Sequence, residues 1–258
     1  MLTPSALVAA AVDRRIDILA LTDHDTTDGV EEALGAARGK PLRLIPGIEI
    51  SSTTGGRDVH ILGIGVDHHS VSFQEKLTHL KKARVERIGA ICRELRKVEV
   101  QLDPAEIFAG AGGKSVGRMH VARAMVRTGY VKDTDEAFRI FLGQGRPAHV
   151  PAHELTPGEA IALIRNAGGV PIVAHPGMIG NDDLLASLVG DGVMGFEVHH
   201  KAHDPQRREQ LTALALRYGM IMSGGSDFHG DDSHGGGGLG EVSCPPEEWT
   251  RIEAHLKV

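Results

Sequence analysis

Short apolar runs, each tied to a histidine or an acid, alternate with helical stretches over most of the chain, and this alternation most limits the fold. Ile16 to Leu21 runs into Thr22-Asp23-His24-Asp25, Leu42 to Ile50 carries Glu49 near its end, and Val59 to Val66 follows Gly55-Gly56 with His60 close to its start. Farther on, Val170 to Ala174 precedes His175, Gly195 to Val198 leads into His199-His200, and Met220 to Ser223 precedes Asp227 and His229. Such runs, bounded by turn residues, read as buried strands. The stretches ending near Ala37 and spanning Pro157 to Ala167, Asp182 to Val189 and Pro205 to Tyr218 read as helices. Strands separated by helices imply a parallel sheet.

From about Ser70 to Val150 the pattern is helical alone, with Phe73, Leu77, Leu80, Ile88, Ile91 and Leu95 mostly at three- or four-residue spacing. This divides the chain into a discontinuous β/α domain, residues 1–69 and 151–258, and an inserted helical cap over 70–150. Thr3-Pro4 opens a first helix through about Arg14, as Thr suits an N-cap and Pro the first helical position. A Gly-rich loop, Gly235 to Gly240, and a helix from Pro246 through Leu256 complete the chain.

Aromatic residues are only 3% while Gly numbers 33, so the core is Ala, Val, Ile and Leu, which suits α/β layering. A net charge of -6 supplies no whole-protein attraction to nucleic acid, DNA included, or to an anionic membrane, although a local basic patch could still bind phosphate. Lys81, Lys82, Arg84, Arg87, Arg93, Arg96 and Lys97 read as a solvated helical face. Cys92 and Cys244 form neither a CxxC pair nor a disulfide framework, which points to a reducing compartment. Ala6 to Val12 is far too short to span a bilayer, and no signal peptide is read at the opening. A cytoplasmic location without membrane contact is the expectation.

Histidine is the unusual residue: 15, against one Trp and two Tyr. In a parallel β/α barrel the carboxyl ends of the strands converge on one face, which would gather His24, Glu49, His175, Asp227 and His229 there, with His60 a sixth candidate. Imidazole with carboxylate is the ligand set of Zn, Mn or Fe, and an acid can bridge two ions. Asp25 reads more simply as the N-cap of the next helix. Glu49 lies in the apolar run Leu44-Ile45-Pro46-Gly47-Ile48-Glu49-Ile50, where an unpaired carboxylate costs several kcal/mol, so it wants a cation.

Thr22-Asp23-His24-Asp25, Pro46-Gly47-Ile48-Glu49-Ile50-Ser51, His60-Ile61-Leu62-Gly63, Ala174-His175-Pro176 and Gly225-Ser226-Asp227-Phe228-His229 together resemble, in order, the motifs of the polymerase and histidinol phosphatase (PHP) superfamily. Within it, the chain is similar to the bacterial branch acting on nucleoside monophosphates, nucleoside 3',5'-bisphosphates and RNA 5' ends. The resemblance implies a distorted (β/α)7 barrel holding up to three divalent ions, Mn foremost with Fe, Zn and Mg as alternatives. It makes Glu49 the bridging carboxylate, with His60 and His175 completing one site, Asp227 at the second ion, and His24 and His229 at the third. Glu49 and Asp227 are then catalytic through the ions. In the cap, Gly117-Arg118-Met119-His120 matches the stretch whose Arg and His contact substrate phosphate, which makes Arg118 and His120 phosphate ligands. His203 matches a family His and is assigned to substrate or leaving group, as binding and catalytic residue. His199-His200 replace an aromatic pair, and His199 is taken as a further substrate contact.

The family opens with a strand ending in His-x-His, and the present sequence starts at Met1-Leu2-Thr3-Pro4, just after that point. A barrel lacking its first strand is therefore expected. The implied reaction is hydrolysis of a nucleotide phosphomonoester, on a nucleoside 3',5'-bisphosphate or AMP, extending to 5'-3' exonucleolytic action on short RNA. Two alternatives stand beside it: histidinol-phosphate phosphatase, and a non-catalytic metal or nucleotide binder. Oligomeric state is not legible.

Overall fold

A computed structural model describes residues 2–111, 116–151, 155–230 and 238–256, so residues 235–237 of the Gly-rich loop lie outside the described residues. The chain divides into two compact units, Met1–Gln74 with Leu155–Val258, and Glu75–Glu154.

The first unit carries one six-stranded sheet in chain order: β1 (Ile18–Leu21), β2 (Arg43–Thr54), β3 (Arg57–Ile64), β4 (Val170–Val173), β5 (Gly195–His199) and β6 (Ile221–Gly224). The β1–β2, β4–β5 and β5–β6 pairs are parallel, but β3 is antiparallel to both of its neighbours. The all-parallel expectation is corrected here. Gly55 and Gly56 both take positive φ, 55° and 75°, as a two-residue hairpin turn demands, so no helix separates β2 from β3. The reversal bears on function, because the start of β3, with His60, lies at the same sheet end as the carboxyl termini of the other strands. Ser51 is paired with His60, and Ala174 donates its N–H to His60 O at 3.0 Å.

Helices α1 (Pro4–Asp13), α2 (Val30–Ala37), α7 (Pro157–Asn166), α8 (Asp182–Gly190), α9 (Pro205–Tyr218) and α10 (Pro246–Glu253) complete this unit. Their starts follow local chemistry: Thr3 Oγ1 accepts from Ala6 N–H, Thr156 and Glu159 exchange capping bonds, and Asn181 and Asp204 cap α8 and α9. One apolar cluster joins Ile18 and Ala20 of β1, Ile45 of β2, Ile64 of β3, Ile172 of β4 and Ile221 of β6 to Trp249 and Ile252 of α10. Apolar residues of both edge strands thus share one cluster with a single helix, as a curled sheet allows. Gly47, inside β2, permits the tight β1–β2 approach, since a Cβ there would lie 2.8 Å from Thr22 Cγ2 and 2.9 Å from Leu21 O.

Helix α10 also covers the β6 edge. The buried Glu248 carboxylate accepts from Met222 N–H at 2.8 Å and pairs with Arg251, which donates to the carbonyls of Met220 and Gly219. Replacing Glu248 by Ala orphans an edge amide, and the expected loss is about 2–3 kcal/mol of unfolding free energy, read by urea denaturation.

The long α3 (Val71–Arg96) leads into the second unit, which continues with α4 (Pro104–Gly110), α5 (Arg118–Arg127), α6 (Thr134–Ala137) and a π-turn over Phe138–Leu142. Its core packs Ile88, Ile91 and Leu95 with Ile107, Val121, Met125 and Leu142. No helix among the described residues is long and apolar enough to cross a membrane.

Candidate metal centre

Beyond β1 the chain keeps alongside β2: Glu49 N–H donates to Asp23 O at 3.1 Å, and Asp25 N–H to Glu49 O at 2.9 Å, which sets His24 beside Glu49. Asp25 then turns the chain at φ 51°, and its Oδ1 accepts from Ser51 N–H at 2.8 Å. Asp25 is therefore no helix cap, because α2 begins only at Val30, after Gly29. His175 and Asp227, at the ends of β4 and β6, also take positive φ, 30° and 47°. Non-glycine residues held in this region carry strain of about 1–3 kcal/mol each and gather at functional sites.

Three imidazoles converge on the buried Glu49 carboxylate. His60 Nδ1 lies 2.8 Å and His175 Nε2 3.2 Å from Oε1, while His24 Nε2 lies 3.7 Å from Oε2. Burial works against charge on Glu49, but the His24 charge and the bonds from His175 and His60 hold its pKa well below the usual carboxylate range. Burial likewise disfavours charged His60 and His175, and their bonds to Glu49 outweigh it and raise both.

The rings extend in a file. His229 stands 6.0 Å from His24, centroid to centroid, then His24 to His60 is 5.1 Å, His60 to His175 5.2 Å, His175 to His200 5.7 Å and His200 to His203 5.4 Å. Asp227 bridges the two ends of this region, with Oδ2 3.8 Å from His200 Nε2 and Oδ1 3.4 Å from His229 Nδ1. Thus His24, Glu49, His60, His175, Asp227 and His229, far apart in the chain, meet at one end of the sheet.

Two of the remaining residues behave differently. His203 is buried with both nitrogens engaged: Nδ1 donates to Val198 O at 3.0 Å and Nε2 accepts from Gly177 N–H at 3.0 Å. Gly177 is needed there, since a Cβ would come within 2.3 Å of the His203 ring. Burial lowers the pKa of His203, in keeping with a neutral ring that must accept at Nε2. His199 is not among the rings of the file; the charges acting on it are Arg208, Glu248 and Glu247, from α9 and α10. The chain breaks its register between Glu197 and His199, and His200 takes the place beside Asp227.

Sequence reasoning passed over His200 and Glu197. The buried Glu197 Oε2 accepts from His175 N–H at 2.8 Å and so holds the strained backbone of that residue. Burial pushes its pKa up to about 8, against the pull of the His175 amide. An acid in a buried strand followed by two adjacent histidines, Phe196-Glu197-Val198-His199-His200, was the available signal. In the helical unit, Arg118 and His120 occupy the first turn of α5; Arg118 Cζ lies 5.8 Å from the Phe138 ring centroid, and Gly117 N–H donates to His120 Nδ1 at 3.1 Å.

The donors suit divalent ions. His24, Glu49 and His60 offer ligand atoms within 4.8 Å of one another. Among the described residues the buried His175 Nδ1 and His200 Nε2 have no hydrogen-bond partner, and the 3.8 Å from His200 to Asp227 matches two donors sharing one cation, which sit about 3–4 Å apart when each is about 2.0–2.2 Å from the ion. A centre of imidazoles and carboxylates at strand ends, with no serine or cysteine nucleophile required, is the donor set of a metal-dependent hydrolase.

No family model matches the chain. The chain is 32% identical to the 3',5'-nucleoside bisphosphate phosphatase of Chromobacterium violaceum, over 99% of its own length and 93% of the relative's. It is 35% identical to the 5'-3' exoribonuclease Rnm of Escherichia coli, over 88% of the chain and 80% of the relative. A Bifidobacterium adolescentis structure assigned as a metal-dependent phosphoesterase superposes with a TM-score of 0.89 at 28% identity, covering 100% of this chain and 92% of the other. The chain belongs to the PHP family of metal-dependent phosphoesterases, in the branch that holds the bisphosphate phosphatase and the Rnm exonucleases.

Proposed function

We propose that this chain hydrolyses a phosphomonoester on a nucleotide, a nucleoside 3',5'-bisphosphate or AMP, with 5'-3' exonucleolytic action on short RNA as an extension of the same chemistry. The observation that carries the chemistry is the convergence of three imidazoles on both oxygens of one buried carboxylate. Similarity to the C. violaceum phosphatase across nearly the whole chain supports the substrate class. We take the sheet to be most of a distorted (β/α)7 barrel.

Divalent ions at such a centre, Mn foremost, supply a hydroxide near neutral pH and a Lewis acid for phosphoryl oxygens. The chain's own residues arrange the rest. Glu49, between His60 and His175 on one oxygen and His24 on the other, would be the carboxylate ligand shared by such ions. Asp227 serves with His200 on one side and His229 on the other. Glu197 fixes His175 through its backbone. Arg118 supplies a planar guanidinium for paired phosphate oxygens, and His120, with Nδ1 accepting from Gly117, presents its proton at Nε2. His203 is proposed to donate a proton to the leaving oxygen, and to do so its Nδ1–H must first leave Val198 O, or its Nε2 must release Gly177 N–H and take up a proton. His199 stays a candidate substrate contact of the outer region only.

Phosphate release from 3',5'-bisphosphoadenosine, AMP and histidinol phosphate, each with added Mn and with chelator, tests the reading. Nucleotide turnover that Mn restores after chelation is expected. Faster release from histidinol phosphate overturns the substrate class, and absence of turnover with every metal leaves the binder reading.

A further inference from the structure

Away from the Glu49 cluster, a second group of donors meets where α2 faces the turn between β3 and α3. Glu31 stands in the first turn of α2, and His68 and His69 end the strand's exit turn. His68 Nε2 lies 2.6 Å and His69 Nε2 3.1 Å from the same oxygen, Glu31 Oε1, and the two rings are 4.1 Å apart. The three donor atoms all fall within 4.8 Å of one another.

An exposed ion pair is worth about 0–1 kcal/mol and asks for one imidazole, not two. If both rings carried charge they would repel at this separation. Neutral rings, each with its Nε2 lone pair turned on one cation and its proton on Nδ1, remove that repulsion and keep all three donors in place. The turn is also held: Asp67 N–H donates to Ala167 O at 2.7 Å, Asp67 Oδ1 accepts from His69 N–H at 3.0 Å, and Gln74 Nε2 reaches His68 O at 2.7 Å and Thr27 Oγ1 at 2.8 Å. The His68 side chain is only 12% exposed, whereas Glu31 and His69 open to solvent, so one ligand is anchored and the entry path is clear. A tetrahedral ion at about 2.0–2.1 Å from each donor sets them about 3.3–3.4 Å apart, within an ångström of the two distances from the imidazoles to Glu31. Arg38 is the nearby positive charge that opposes a cation here.

We infer that Glu31, His68 and His69 form a second divalent-cation site, of the two-imidazole, one-carboxylate kind with one position open, that takes a borderline ion such as Zn(II) and staples α2 to the entry of α3. The inference does not rest on the phosphatase reading.

The full chain, stripped by chelator and carrying Glu49→Gln and His60→Ala to weaken the first centre, is titrated with Zn(II) by calorimetry, and with Co(II) followed by ligand-field absorption. One equivalent in the micromolar range or tighter is expected, weakened at least about tenfold by His68→Ala or His69→Ala and unchanged by His79→Ala, on the exposed face of α3. Zinc should raise the melting temperature of that background and not of its His68→Ala derivative. Identical zinc affinity in the His68→Ala derivative, or binding only at millimolar zinc, overturns the inference. With the first centre intact, His68→Ala leaves phosphate release unchanged.

Discussion

Glu49→Gln is expected to lower kcat for phosphate release by at least about 10³-fold, the scale on which single charge-stabilising groups act at hydrolytic centres. The amide keeps the shape but has one oxygen where the carboxylate has two, and no charge to share between ions. His60 and His175 face Oε1 while His24 faces Oε2, so the variant can satisfy one side only. Bound Mn should fall in parallel, measured on gel-filtered protein by atomic emission. Full activity with a normal metal complement would remove Glu49 from the mechanism.

Metal affinity should climb steeply with pH, by up to about 100-fold per unit while both imidazoles remain protonated, because each gives up a proton to bind. The direction follows from the metal-free centre. Burial lowers the pKa of His60 and His175, but their bonds to Glu49 prevail and raise both above 6.5. Stability from these pairs is therefore full below the unfolded imidazole value and fades as pH rises through the raised folded values. For Glu49, burial raises the pKa, but His24, His175 and His60 depress it well below 4.5. Its contribution is present above the unfolded carboxylate value and is lost as pH falls through the depressed one. Metal-free protein is thus best held between those limits, in mildly acidic solution, while the metal-loaded protein gains as pH rises above them. Calorimetry of Mn binding in buffers of different ionisation enthalpy reads the released protons directly. Affinity that stays flat between mildly acidic and mildly alkaline pH would show that these histidines do not exchange protons for metal.

Much of this architecture was legible before any coordinates. The strand-and-helix rhythm placed all six strands, because a buried strand must be apolar and a polar residue at its end has somewhere to go. Glu49 in its apolar run and Asp227-Phe228-His229 after the last strand stood out for the same reason. The hairpin was also written in Gly55-Gly56, a turn signal that the parallel reading overrode. What local pattern does not encode is the side of the backbone from which a residue acts. His199 and His200 are adjacent and chemically identical, and only the broken β5–β6 register sends His200 to Asp227.

The linear chain by itself determined the elements, their order and the stock of ligands, because periodicity, caps and turn residues act over a few positions. Tertiary structure alone decided which donors share an oxygen: reversal of β3 brings His60 to the ends of its neighbours, and Glu197 pins His175 across 22 residues of sequence. It likewise decided that His203 is engaged at both nitrogens and that Glu31 meets His68 and His69. Such meetings depend on distances set by sheet pairing and curl, which no local run of residues contains.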